Sequence, residues 1–263
     1  MPVDLSGQLT CGGIVLAGRV LNLSSGGMLF RADDPKNKLA ENGVATIDAE
    51  RIGRVTGNVL ARSGADIHIE FRDLPVDALE RVGNCLQSIK DQDRKFIDAA
   101  IAAAAGITKA FENALANGTT TTEALFDTNY QIIPGTNPTQ YRSASIDLCD
   151  RVFPSIQEPV LDLDPRIVFC AAVDRKSFLP MHNKKFSHPQ RPNDPAWNTA
   201  NSRNRRIFND KAGLRAARTV QDHLFQCYDR DMGNGTVVAL KEIDAPITVQ
   251  GRHWGALTLA YRA

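Results

Sequence analysis

The stretch Asp91–Asn117, DQDRKFIDAAIAAAAGITKAFENALAN, constrains this chain more than any other. Its larger apolar residues fall at Phe96, Ile97, Ile101, Ile107, Phe111 and Leu115, and Ala100 and Ala104 fill the same stripe. Steps of three and four residues keep side chains on one face of a helix, so the spacing predicts a long helix. Asn117-Gly118 supplies a C-terminal stop. The run Ala102–Ala105 leaves a slim surface that a second helix can approach closely. On periodicity alone, a core helix of a single domain fits nearly as well. The change of pattern across the helix decides for a divider, because short β segments precede it and mixed α and β segments follow. The expected fold class is α+β. A small antiparallel β-barrel with a closing helix occupies 1–90, a connecting and dimerising helix 91–118, and an antiparallel sheet with helices 119–263.

Bulk composition removes several function classes. Lys plus Arg number 31 against 30 Asp plus Glu, a formal net charge of +1 that implies no nucleic-acid partner. The 43% hydrophobic content fits a folded chain. No apolar run approaches a membrane span, and MPVDLSGQLT lacks the basic-then-apolar order of a signal peptide, so the expected location is cytoplasmic. Cys11, Cys85, Cys149, Cys170 and Cys227 are scattered and never at CxxC spacing, which predicts reduced thiols, mostly core, and no zinc site.

In the first domain, strand material is expected at Leu9-Thr10, Ile14–Leu16, Val20–Leu23, Met28–Phe30, Val44–Asp48, Arg51–Ala61 and Asp66–Phe71. Turns such as Gly12-Gly13, Asn42-Gly43 and Ser63-Gly64 separate them. Leu79, Val82, Leu86 and Ile89 place a closing helix over Leu74–Lys90. One element carries chemistry: a strand runs into Asn22, the chain turns through Ser24, Ser25, Gly26 and Gly27, and a strand leaves. Asn and Ser side chains there can hydrogen-bond a ligand edge. The same residues also suit a plain Asx or Ser turn in a hairpin.

The order of strands, the N-x-S-x-x-G arrangement at Asn22, Ser24 and Gly27, and the closing helix together resemble a PilZ domain. In that family the motif lies on the barrel surface and contacts one guanine and the backbone of cyclic di-GMP. The resemblance implies that Asn22, Ser24 and Gly27 bind that ligand. The family's R-x-x-x-R motif, which stacks on guanine and grips phosphate just before the first strand, has no counterpart here. Met1–Leu5 stands about where it should have ended. Either the chain starts inside a longer protein or the domain is a degenerate member.

After the helix, a connector with Thr119–Thr122, Pro134-Gly135 and Asn137-Pro138 leads to a helical pattern over Tyr141–Val160, which Pro154 and Pro159 interrupt or end. Arg166–Val173 is a continuous apolar run, read as a buried strand, and Phe178–His182 is expected to return beside it as a hairpin. A polar loop through Lys184–Trp197 follows, then a basic helix over Arg203–Ala217 capped by Asn201 or Ser202. The strands Thr236–Ile243, Pro246–Val249 and Trp254–Tyr261 close the chain. This is the element order of a PAS-like sensor. The runs DRKSFLPMHN, NRRIFNDKAG, YDRDMG and APITVQGRHWGALTLAY are similar to a Cache-type module found at the C-terminus of some bacterial methyl-accepting chemotaxis proteins. That resemblance spans roughly Asp91–Ala263. It implies a non-catalytic chemotaxis-related sensor, a homodimer through the preceding helix, and signalling proteins as partners.

Candidate pocket residues are His182, Arg203, Arg206, Arg252 and His253. His182 and His188 stand six residues apart in a loop, no recognised ligand spacing, so no metal is expected and a haem reading is no stronger. Arg203, Arg205 and Arg206 can clamp a carboxylate or phosphate, or pair with acids such as Asp229 and Asp231. Trp254 reads as core. No G-x-S-x-G elbow, Walker loop, GxGxxG or HExxH is present, so no enzyme is expected. The function expected is a signalling sensor that binds cyclic di-GMP, a small ligand, or both. The rivals are an adaptor that binds protein through a degenerate barrel, and a small-molecule or metal receptor acting through the second domain alone.

Overall fold

The computed structural model describes residues 1–36, 39, 43–231 and 237–262. The chain divides into two compact units, Met1–Arg94 and Lys95–Ala263. Among the described residues, the first unit is a closed antiparallel barrel of β1 (Pro2–Cys11), β2 (Ile14–Leu23), β3 (Gly27–Ala32), β4 (Val44–Ala49), β5 (Gly53–Ser63) and β6 (Asp66–Phe71). Their order around the barrel is β1-β2-β3-β6-β5-β4. Alternation sends Val20, Phe30, Ile47, Val55, Ile67 and Ile69 inward. The segments expected at Ile14–Leu16 and Val20–Leu23 are one strand, because Ala17, Gly18 and Arg19 keep the alternation and pair with β1, Gly18 and Arg19 also with β3. Asn42, assigned to a turn, lies outside the described residues.

The helices expected over Leu74–Lys90 and Asp91–Asn117 are one continuous helix, α1 (Val76–Ala116), of 41 residues. Nothing in Lys90–Gln92 breaks a helix: there is no Gly or Pro there. Ala78, Val82, Cys85 and Ile89 of its first part belong to the barrel's core. Phe96, Ala100, Ile107 and Phe111 belong to the core of the second unit.

In the second unit, α2 (Thr122–Leu125) is capped by Thr121, whose hydroxyl accepts from Ala124 N at 3.2 Å. A short hairpin, β7 (Gln131–Ile133) and β8 (Gln140–Arg142), precedes α3 (Ile146–Val160). This helix runs through Pro154 and nearly to its end at Pro159, where an interruption was expected. Its buried face, including Cys149, Phe153 and Val160, offsets the lost backbone bonds. Next come β9 (Ile167–Asp174), β10 (Phe178–Leu179), α4 (Pro195–Asn201), β11 (Arg206–Ile207), α5 (Lys211–Ala217), β12 (Leu224–Asp231), β13 (Val237–Val249) and β14 (Arg252–Arg262). The main sheet has the order β12-β13-β14-β9. One face packs on α1 and α3 through Ile243, Ile247, Leu257 and Leu259, where Phe111 meets Trp254 edge-on at 5.1 Å. The other face lies under α5 with Phe169, Val173, Leu240 and Ala260.

Three expectations fail here. The Phe178–His182 segment does not return beside β9; its β10 part pairs with β11, because Phe178 N donates to Asp174 Oδ1 and turns the chain away. The basic helix does not start at Arg203. Arg205 has a left-handed φ of 60°, so the chain turns, forms β11, and begins α5 only after Asp210, whose carboxylate accepts from Gly213 N at 2.9 Å. The strands expected at Thr236–Ile243 and Pro246–Val249 are the single strand β13. Pairing with β12 ends at Leu224 opposite Asp244, so Pro246 sits past that edge and its missing N–H costs no bond there. Thr236 lies outside the described residues.

Candidate ligand-binding sites

In the barrel, β2 ends at Asn22-Leu23 and β3 begins at Gly27. Ser24 closes the turn twice, with its backbone N donating to Gly27 O at 2.8 Å and its hydroxyl to the same oxygen at 3.1 Å. Asn22 Oδ1 accepts from the Met1 amino nitrogen at 3.0 Å. Gly27 has a packing role: a Cβ there would stand 2.3 Å from Ile69 O, so only glycine lets β3 pair with β6. Asn22, Ser24, Gly26 and Gly27 line an open cavity of about 390 Å³ together with Leu60, His68 and Glu70. Arg19 pairs with Asp4, and Arg31 with Asp66 at 2.6 Å. Among the described residues, no Arg or Lys lines the cavity and Glu70 is its one carboxylate.

A second cavity, of about 410 Å³, lies in the second unit between the sheet and α5. His182 and Arg203 line it; Arg206, Arg252 and His253 do not. The His182 ring is 3% exposed and sits 5.3 Å from Phe169 and 4.8 Å from Phe186. Asn183 N donates to its Nδ1 at 2.8 Å, which places the proton of the neutral ring on Nε2. His188 is elsewhere, 5.8 Å from Trp197. The Arg203 guanidinium lies 4.9 Å over the Phe208 ring, and Arg206 shares that ring at 5.1 Å. Arg206 also donates to Thr199 O, and Arg205 pairs with Asp150 at 2.7 Å. The Asp229 and Asp231 side chains, considered as partners of these arginines, lie outside the described residues.

Arg252 sits 4.1 Å over Phe126. His253 Nε2 donates to Ala217 O at 2.8 Å, tying β14 to the end of α5. Trp254 is 1% exposed and donates to Leu125 O.

Sequence reasoning missed the sheet's own contribution to this cavity. Tyr228, Glu242 and Thr258 line it, and Gln226 and Asp244 share their face. Tyr228 OH donates to Glu242 Oε2 at 2.7 Å, and Gln226 Nε2 to Asp244 Oδ2 at 2.8 Å. Burial, and then the charge of Glu242, push the Asp244 carboxyl well above the usual range. The signal was present as polar residues two apart, Gln226 with Tyr228 and Glu242 with Asp244, on strands of apolar character.

Among the described residues, no cluster of three or more His, Cys, Asp or Glu is arranged to hold a metal ion. No helix there is long and apolar enough to cross a membrane. No disulfide joins the cysteines; Cys227 is exposed and Cys11, Cys85, Cys149 and Cys170 are buried. No curated protein matches the chain. Residues 1–88, which include the closed six-strand barrel and its Asn22–Gly27 turn, match the family described as the PilZ domain, at family level a cyclic di-GMP-binding signalling domain.

Proposed function

We propose that this chain is a non-catalytic signalling protein whose barrel binds cyclic di-GMP at Asn22, Ser24 and Gly27. The second unit, in this reading, is a cytoplasmic, Cache-like sensor of a chemotaxis-related system, dimeric through α1. The division used is 1–90, 91–118 and 119–263. The observation that carries it is the Asn22–Gly27 turn opening into a surface cavity within the stretch that matches the PilZ family. The Asn22 carboxamide offers a guanine edge both a donor and an acceptor, and Ser24 fixes the turn that presents it. Binding then biases the conformation of α1, by as much as the ligand's affinities for two states differ.

Calorimetric titration of the chain with cyclic di-GMP tests this. Saturable binding is expected, weakened at least about tenfold by Asn22→Ala, the loss of one well-made polar contact to a charged ligand. Ser24→Ala is expected to weaken it less. One observation favours a second reading, an adaptor whose barrel binds protein: Glu70 puts a carboxylate, and no described cation, in the cavity that would take a diester dianion. Glu70→Gln separates the two. Tighter nucleotide binding in that variant supports the receptor, whereas no heat in either chain supports the adaptor.

A further inference from the structure

We propose that His68 meets a phosphate of cyclic di-GMP in the barrel cavity, and does so as an imidazolium, so that acid tightens binding there. This rests on the barrel's reading as a cyclic di-GMP site and names what regulates that site. Alternation in β6 sends Ile67 and Ile69 into the barrel and leaves His68 and Glu70 exposed on its outer face. There both line the cavity with Asn22, Ser24 and Gly27. Across the ladder His68 stands opposite Leu29 on β3 and Ala61 on β5, neither of which carries a group that could pair with an imidazole. Among the described residues the His68 ring makes no hydrogen bond and stacks on no other ring.

The charge of the cavity turns on this ring. Cyclic di-GMP is a diester dianion, and among the described residues Glu70 is the one carboxylate of a lining without Arg or Lys. With His68 neutral the lining therefore opposes the ligand; with His68 protonated it carries no net charge. The charged groups of the surrounding elements lie outside the lining. Asp66 of β6 pairs with Arg31 of β3 at 2.6 Å. On β5, Arg62 donates to Gly64 O at 3.1 Å and to Leu39 O at 3.4 Å. Past β6, Arg72 lies 3.7 Å from Asp73. Beside β2, Arg19 pairs with Asp4, and the Met1 amino group donates to Asn22 Oδ1 at 3.0 Å. Histidine is the side chain that ordinarily changes charge between about pH 5 and pH 8. A phosphate beside it favours the charged form, and by reciprocity the proton favours the phosphate.

The experiment is calorimetric titration of the full chain with cyclic di-GMP at pH 6 and at pH 8, at one ionic strength. The parent is expected to bind about threefold or more tightly at pH 6, the worth of a charged contact at an exposed site. His68→Gln keeps a polar side chain that cannot charge, and is expected to lose that ratio and bind about as the parent does at pH 8. His68→Lys is charged at both values, and is expected to bind at both about as the parent does at pH 6. An α-amino group also titrates in this range, so any ratio left in His68→Gln belongs to Met1. Proton uptake by the unaltered chain, from the binding heat in two buffers of different ionisation enthalpy, needs no variant to fold. A parent ratio below about threefold, or the same ratio in His68→Gln, overturns the proposal. Binding without a pH ratio fails this proposal alone, whereas no binding of the parent at either pH fails the barrel's reading and this proposal with it.

Discussion

At the scale of the residue, Asp244 carries the clearest pH dependence. Its carboxyl is fully buried, and burial together with Glu242 favours the protonated form in the folded chain. An unfolded Asp titrates near about 3.9. Between that value and the raised folded one, the native state binds the extra proton, so stability falls as pH rises through the window. Asp244→Asn keeps an acceptor for the Gln226 amide and cannot ionise. The variant is expected to match the parent near pH 4 and to gain on it progressively toward pH 8. Denaturant unfolding of both chains across that range measures the difference, which belongs to Asp244 together with its neighbour Glu242 because titrating groups away from the pair cancel. A difference that stays flat with pH would show that Asp244 ionises as freely folded as unfolded.

At the scale of the element, α1 offers a cleaner test of packing. Of the run Ala102–Ala105, Ala103 and Ala104 are buried in the core while Ala102 and Ala105 are exposed, and Gly106 faces Ile156 of α3. A Cβ at Gly106 would stand 3.6 Å from Ile156, an ordinary contact, and one at Gly83 would meet nothing within 4 Å. Both glycines are helical, so each costs backbone entropy without a steric reason. Gly106→Ala and Gly83→Ala are each expected to stabilise by about 0.5–1 kcal/mol, read as a higher denaturant midpoint. A loss would show that α1 bends where the glycine stands. The contrast with the sheet elements explains what sequence could reach. The barrel strands and α1 announce themselves because each keeps one period and buries one face, as Ile67 and Ile69 do in β6. The stretch from Phe178 to Ala217 does not. There, β10 and β11 are two residues each, and Arg205 turns the chain by a left-handed φ that its residue type does not advertise. Half of the second cavity was hidden for a related reason. Glu242 of the interior strand β13 and Tyr228 of the edge strand β12 carry no mark in the sequence that α5 covers their face.

At the scale of the whole molecule, one helix contributes residues to both cores. Residues 78–89 of α1 complete the barrel's core, and residues 96–114 complete the second unit's. A continuous helix is stiff because each backbone N–H is tied to the carbonyl four residues back. In the proposed reading α1 carries the bias from nucleotide binding, and a break between its two core-forming parts tests that. Gln92 is exposed on both sides of the question: its side chain is in solvent, and neither core includes it. Gln92→Pro removes one helical hydrogen bond and clashes with the preceding turn, at a cost of about 3 kcal/mol confined to that turn. Since the residues of both cores are untouched, cyclic di-GMP is expected to bind the variant within about twofold of its affinity for the parent, well under the tenfold that one lost contact would produce. Amide hydrogen exchange then reads the coupling. In the parent, saturating cyclic di-GMP is expected to change protection along residues 95–116; in the variant, that change disappears while protection at the Asn22–Gly27 turn still responds. A change at 95–116 that survives the proline would mean that the bias does not travel through the helix, and a variant that loses nucleotide affinity would mean that the barrel depends on more of α1 than its first part.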